Sequence, residues 1–161
     1  MANFLLGFSC NTKRATNTFA EFYALYHGLS IWIELHSPPS QPVWIESDSP
    51  IVVNTILGKA KPSHCISPYV LHILKLLRSL PSWKISHIYR EGNRAADSLA
   101  NLGITTNPET MWQSPPPSIV SLLNDDINEV PQFRPTLPIE QKTHYSQVQQ
   151  LPTSSPFQQQ A

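Results

Sequence analysis

The spacing of apolar residues switches repeatedly between two periods within the first 103 positions, and that switching constrains the fold more than any other feature of the chain. Phe4-Leu5-Leu6-Gly7-Phe8-Ser9 is a compact apolar run that gives way to a polar stretch from Asn11 to Asn17, as a buried strand leading into a turn would. Thr18 is placed as an N-cap. After it, Phe22, Leu25, Tyr26, Leu29, Trp32 and Ile33 recur at three- and four-residue steps, one apolar face of a helix that Pro38-Pro39 ends. Val43 to Ser47 is rich in strand formers and stops at Asp48.

The second half of this region repeats the alternation. Ser49-Pro50 pairs an N-cap with proline at the first helical position, predicting a short helix from Ile51 to Leu57 closed by Gly58. Ser67-Pro68 opens another helix, with Val70, Leu74, Leu77 and Leu80 on one face. Trp83 to Tyr89 returns to strand character, with Trp83, Ile85, His87 and Tyr89 on one side. Arg90-Glu91-Gly92 is a turn, and Asn93 caps a last helix in which Ala96, Leu99 and Ala100 form a small apolar patch and Gly103 marks the stop. The order strand, helix, strand, helix, helix, strand, helix predicts an α/β sheet flanked by helices, although three strands are few for such a layer.

Composition divides the chain at the same point. Residues 1–103 hold nine Lys/Arg against six Asp/Glu, and residues 104–161 hold two against five, so a mildly basic front precedes a mildly acidic back. That balance permits nucleic-acid contact in the front without requiring it. Nine of the 16 prolines and none of the five glycines lie beyond Gly103, and Gln becomes common. Residues 1–103 are therefore expected to form one domain and residues 104–161 a largely disordered tail, with only Ile119 to Leu123 able to form a brief helix. Cys10 and Cys65 lack the spacing of a zinc site and are expected to be inert thiols in a reducing compartment. With neither a basic n-region nor a membrane-length apolar run in view, an intracellular setting, cytosolic or nuclear, is expected, without a membrane partner.

Three carboxylates stand at element ends among apolar neighbours: Glu21 early in the first helix, Asp48 at a strand exit and Asp97 in the first turn of the last helix. Converging, they could hold hard divalent cations such as Mg²⁺, which prefer oxygen ligands. Two such ions about 3.5 to 4 Å apart can activate a water and stabilise the leaving oxygen of a phosphodiester. Each carboxylate also has a structural explanation. Thr18-x-x-Glu21 is a capping box, Asp48 could cap the helix behind Ser49, and Asp97 could complement a helix dipole. His87, ten residues before Asp97, could move a proton near such a site. It could equally be a hydrogen-bonded histidine of an apolar strand.

The segments Phe19-Ala20-Glu21-Phe22-Tyr23-Ala24-Leu25, Trp44-Ile45-Glu46-Ser47-Asp48-Ser49 and Ile85 to Gly103, the last including His87-Ile88-Tyr89-Arg90-Glu91-Gly92-Asn93-Arg94-Ala95-Ala96-Asp97, resemble in order the three successive signatures of the plant reverse-transcriptase-like, retroelement-derived ribonuclease H family. The resemblance implies a ribonuclease H-like mixed sheet flanked by helices. It also implies metal-dependent cleavage of the RNA strand of an RNA-DNA hybrid, with Mg²⁺ or Mn²⁺ as cofactor. Glu21, Asp48 and Asp97 match three of the family's four metal-binding carboxylates, His87 its mobile histidine, and Asn93 a polar position near the active site. RNA would be told from DNA by its 2′-hydroxyls in the minor groove.

Residues Asn3 to Ser9 align with the family's third strand, and no Asp precedes Asp48, so the first two strands and the first carboxylate have no counterpart. The expectation is an N-terminally incomplete domain with a weakened or lost two-metal arrangement, in which either the remaining strands re-pair or the chain folds only in part. The alternative reading is a non-catalytic module that binds nucleic acid or proteins.

Overall fold

The computed structural model describes residues 4–12, 16–105 and 109–127. Along the chain the elements are β1 (Gly7–Ser9), α1 (Asn17–Leu35), β2 (Val43–Ser47), α2 (Pro50–Ile56), α3 (Ser67–Arg78), β3 (Trp83–His87), α4 (Arg94–Thr105), β4 (Thr110–Trp112) and α5 (Pro117–Ile127), with a single 3-10 turn at Arg90–Gly92. This is the expected α/β architecture, a small mixed set of strands flanked by helices.

Most predicted boundaries fall within two residues of the observed ones, and the exceptions have local causes. Helix α1 starts at Asn17 because Thr16, not Thr18, is its N-cap: the Thr16 hydroxyl accepts from the Phe19 backbone N–H at 3.2 Å. The Thr18-x-x-Glu21 capping box is therefore not used, and Thr18 lies inside the helix. Proline at the first turn starts both α2 and α3 as their sequences require. Past the end of α2, Gly58 adopts φ +72°, the left-handed conformation in which a side chain would be strained.

The strands form two separate pairs. Strands β2 and β3 run parallel with Val43 opposite Trp83, Ile45 opposite Ile85 and Ser47 opposite His87, joined by the α2–α3 crossover. Strand β1 pairs antiparallel with β4, Gly7 opposite Trp112 and Ser9 opposite Thr110. The pairing partner of β1 thus comes from beyond residue 103.

Residues 110–127 consequently depart from the expectation of a disordered stretch after Gly103. Strand β4 is too short to leave a readable period. Helix α5 is longer than the brief helix predicted, and begins at the last of three consecutive prolines, which favour a helix start as well as an irregular chain. Ile119 is fully buried, and Arg94 of α4 lies 3.6 Å from Asp125 of α5. The remainder of the predicted tail, residues 128–161, is outside the described residues.

The main core lies between α1, α2, α3 and β3. Phe22 and Leu29 from α1 meet Val52, Val53 and Ile56 from α2 and Val70, Ile73 and Leu77 from α3, and Leu80 and Ile85 close the cluster. Leu25, Tyr26, Trp32 and Ile33 of the predicted α1 face pack around it, partly buried. On the other side of α1, an apolar cavity of about 430 Å³ is lined by Phe4, Leu6, Phe8, Ile31, Trp32 and Leu123. The Trp32 indole N–H is buried with no acceptor among the described residues. Among those residues no helix is long and apolar enough to cross a membrane.

Gly103 does not end α4, which continues to Thr105. Its role is close approach, since a Cβ there would stand 2.8 Å from the Cys10 carbonyl oxygen. Because the obstruction is backbone, α4 or the chain after β1 would have to shift. Gly103→Ala is expected to destabilise by about 1 to 3 kcal/mol, as overpacking does. Ile73→Ala, a cavity in the core, is expected to cost about 2 to 5 kcal/mol. Urea unfolding followed by circular dichroism measures both, and an unchanged Gly103→Ala midpoint would contradict the close-approach explanation.

Candidate active-site cleft

Parallel pairing of β2 and β3 brings their C-terminal ends side by side, and the polar residues follow immediately beyond. Ile88 N–H donates to the Ser47 carbonyl at 3.0 Å, extending the pairing one step past the strand. Ser49 N–H donates to the Ser47 hydroxyl at 3.1 Å, fixing the bend that carries Asp48. The Asp48 side chain is only 13% exposed, and Asn93 Nδ2 donates to its Oδ1 at 3.0 Å. Asn93 directly precedes α4, and its carbonyl accepts from the Asp97 N–H at 3.0 Å, so the same residue also orders the turn that presents Asp97.

Glu21 completes the group from α1. Burial raises its pKa above the ordinary carboxylate value of 4.5, the charges of Asp48 and Asp97 raise it further, and Arg90 partly opposes them. The interaction with both aspartates means that the three predicted carboxylates share one electrostatic neighbourhood. Glu21, Asp48, His87 and Arg90 line a single open cleft of about 400 Å³. Asp97 is linked to that cleft through Arg90, whose Nε lies 3.7 Å from Asp48 Oδ2 and 3.8 Å from Asp97 Oδ2.

The structural explanations for these residues fare unequally. The capping role of Glu21 falls with the shift of the N-cap to Thr16. The N-cap of α2 is Ser49, and Asp48 is engaged by Asn93. Asp97 does lie in the first turn of α4, so a helix-dipole contribution accompanies its pairing with Arg90. His87 is exposed rather than a core residue, with its ring 5.7 Å from that of Tyr89 in an edge-on contact. Cys10 fits an inert thiol, its pKa raised by burial and then by Glu109.

Arg90 is the residue that sequence reasoning assigned only to a turn. The available signal was its place between His87 and Asn93 in the last signature. The carboxylates have the hard oxygen donors that suit Mg²⁺. Their arrangement does not close around an ion: among the described residues no three or more His, Cys, Asp or Glu are grouped to hold a metal.

A half-buried carboxylate beside two others opposes folding once ionised. With its folded-state pKa raised, Glu21 contributes stability fully only below its unfolded value near 4.5 and loses that contribution as pH rises through the folded value. Glu21→Gln is therefore expected to raise the melting temperature at pH 7, with the gain disappearing as pH falls below about 4. Thermal melts at both pH values test this, and a less stable Glu21→Gln protein at pH 7 would refute it.

The profile of the reverse transcriptase-like family matches residues 2–103. A ribonuclease H protein of Arabidopsis thaliana is 32% identical over 121 residues, which are 74% of this chain and 19% of that protein, so the chain spans about a fifth of its relative's length. The RNase H1 of Halobacterium salinarum superimposes with a TM-score of 0.52 at 26% identity, covering 56% of this chain and 67% of that one. The N-terminal RNase H domain of a Mycobacterium tuberculosis protein gives a TM-score of 0.50 at 27% identity, covering 54% and 65%. An RNase H1 crystallised with an RNA/DNA hybrid gives 0.53 at 26% identity, covering 56% and 68%. A profile match across most of the described chain, together with an RNase H-like fold, establishes that the chain belongs to the reverse transcriptase-like family.

Proposed function

We propose that this chain is a nucleic-acid-binding, ribonuclease H-like domain that acts on the RNA strand of RNA-DNA hybrids, with Mg²⁺ or Mn²⁺ as cofactor. The observation that carries the reading is the open cleft that Glu21 and Asp48 line together, with Asp97 linked to it through Arg90. Support also comes from a relative crystallised with an RNA/DNA hybrid. Glu21, Asp48 and Asp97 are the proposed catalytic carboxylates and metal ligands. Asn93 holds Asp48 in position, as the outer partners of such ligands do. His87, exposed on the rim, is suited to receive or return a proton once a substrate lies across the cleft. Exposed Arg90, at the cleft, supplies a cation that contacts backbone phosphates.

The guanidinium between Asp48 and Asp97 favours a second reading, in which the cleft binds nucleic acid without cleaving it. Incubating the purified chain with a labelled RNA-DNA hybrid and Mg²⁺ or Mn²⁺ separates the two. The enzymatic reading expects metal-dependent cleavage that Asp48→Asn abolishes and Asn93→Ala reduces by about 10- to 100-fold. Salt-sensitive binding without cleavage, unaffected by Asp48→Asn or by chelation, would replace it with the binding module.

A further inference from the structure

Arg90 places its guanidinium beside two of the three carboxylates. One nitrogen of its guanidinium faces Asp48 at 3.7 Å and Asp97 at 3.8 Å, although these carboxylates come from different elements. The three partners are held very differently. Asp48 is nearly buried and fixed by Asn93, Asp97 is 40% exposed on the first turn of α4, and Arg90 is 81% exposed. Both distances exceed the roughly 2.7 to 2.9 Å of a charge-assisted hydrogen bond, so the contact is Coulombic rather than a locked bidentate pair.

The backbone around Arg90 is nevertheless anchored. Gly92 N–H donates to the Tyr89 carbonyl at 2.9 Å, and Asn93 N–H donates to the Arg90 carbonyl at 3.0 Å. A side-chain rotation alone can therefore remove the guanidinium, leaving the turn and Asn93 in place. We infer that Arg90 is an internal counter-cation: it neutralises Asp48 and Asp97 in the free protein, excludes a divalent ion while it does so, and swings out when one is admitted.

The inference rests on the metal-dependent reading above and explains why hard oxygen donors are present without being grouped around an ion. It makes Arg90 a positioning residue. Once displaced, its planar guanidinium is free to take a phosphate of the nucleic acid, for which it is well shaped. Admission of the ion and engagement of the phosphate backbone would then favour the same side-chain position.

Mn²⁺ binding to the whole chain, without nucleic acid and at low salt, tests the proposal by calorimetry or by electron paramagnetic resonance of the free ion. A positive charge about 4 Å from a carboxylate is worth roughly a fivefold factor in water, and a dication feels its repulsion more strongly. Arg90→Gln is therefore expected to bind Mn²⁺ about tenfold more tightly than the wild type. Arg90→Lys, which keeps the charge, should stay within about threefold. Adding Asp48→Asn to Arg90→Gln should erase the gain. Unchanged or weaker binding in folded Arg90→Gln overturns the inference. Hybrid cleavage assayed in parallel keeps the two ideas apart. Cleavage by the wild type with no Mn²⁺ gain in Arg90→Gln sinks the counter-cation alone. Tighter Mn²⁺ binding in Arg90→Gln without cleavage by any variant upholds it and removes the nuclease reading.

Discussion

The parallel register between β2 and β3 is the constraint on which the cleft depends. With Ser47 opposite His87, the residues that follow each strand leave the sheet at the same level. Asp48 therefore emerges beside the turn that carries Arg90 and Asn93. Side chains alternate between faces along a strand, so a slip of one residue would turn Ile85, now buried, toward solvent and move Asp48 away from Asn93. The hydrophobic core thus specifies the polar geometry: the burial of Ile85 against α2 and α3 selects the register, and the register selects the neighbours of Asp48.

Helix α1 brings the third carboxylate against that arrangement at an energetic penalty. Phe22 is almost fully buried and anchors the helix turn, which leaves its neighbour Glu21 at the cleft in a partly desolvated position near two aspartates. Packing of Phe22 alone would tolerate many residues at position 21. An ionised carboxylate there works against folding, so its stabilising logic lies outside the core. Arg90 offsets part of this charge from an exposed position, a weak compensation.

Legibility in the sequence followed the strength of the local signals. The α1 stripe, the Ser-Pro starts of α2 and α3 and the strand formers of β2 each state their structure within one or two turns of chain, and all were readable. The N-cap of α1 was misplaced because Thr16 and Thr18 are equivalent by residue type, and only the backbone conformation distinguishes them. Strand β4 and the purpose of Gly103 are tertiary facts. Thr110–Trp112 is a strand because β1 has an edge to offer, and Gly103 is small because the Cys10 carbonyl lies against it. Among the candidate site residues the carboxylates could be listed from type and element ends, whereas the approach of Arg90 to both Asp48 and Asp97 is a tertiary fact.

Helix α4 connects these local and long-range determinants. At its C-terminal end, Gly103 fits against the chain leaving β1. At its N-terminal end, Asn93 and Arg90 reach the exit of β2. Among the described residues the two strand pairs share no hydrogen-bonded ladder; α4 packs on β1, and the turn that precedes it reaches Asp48 beyond β2. Helix α5 adds a third support, because Arg94, which pairs with Asp125, lies on the same first turn as Asp97. By pairing with β1 and packing on α4, residues 110–127 brace the helix whose first turn carries Asp97.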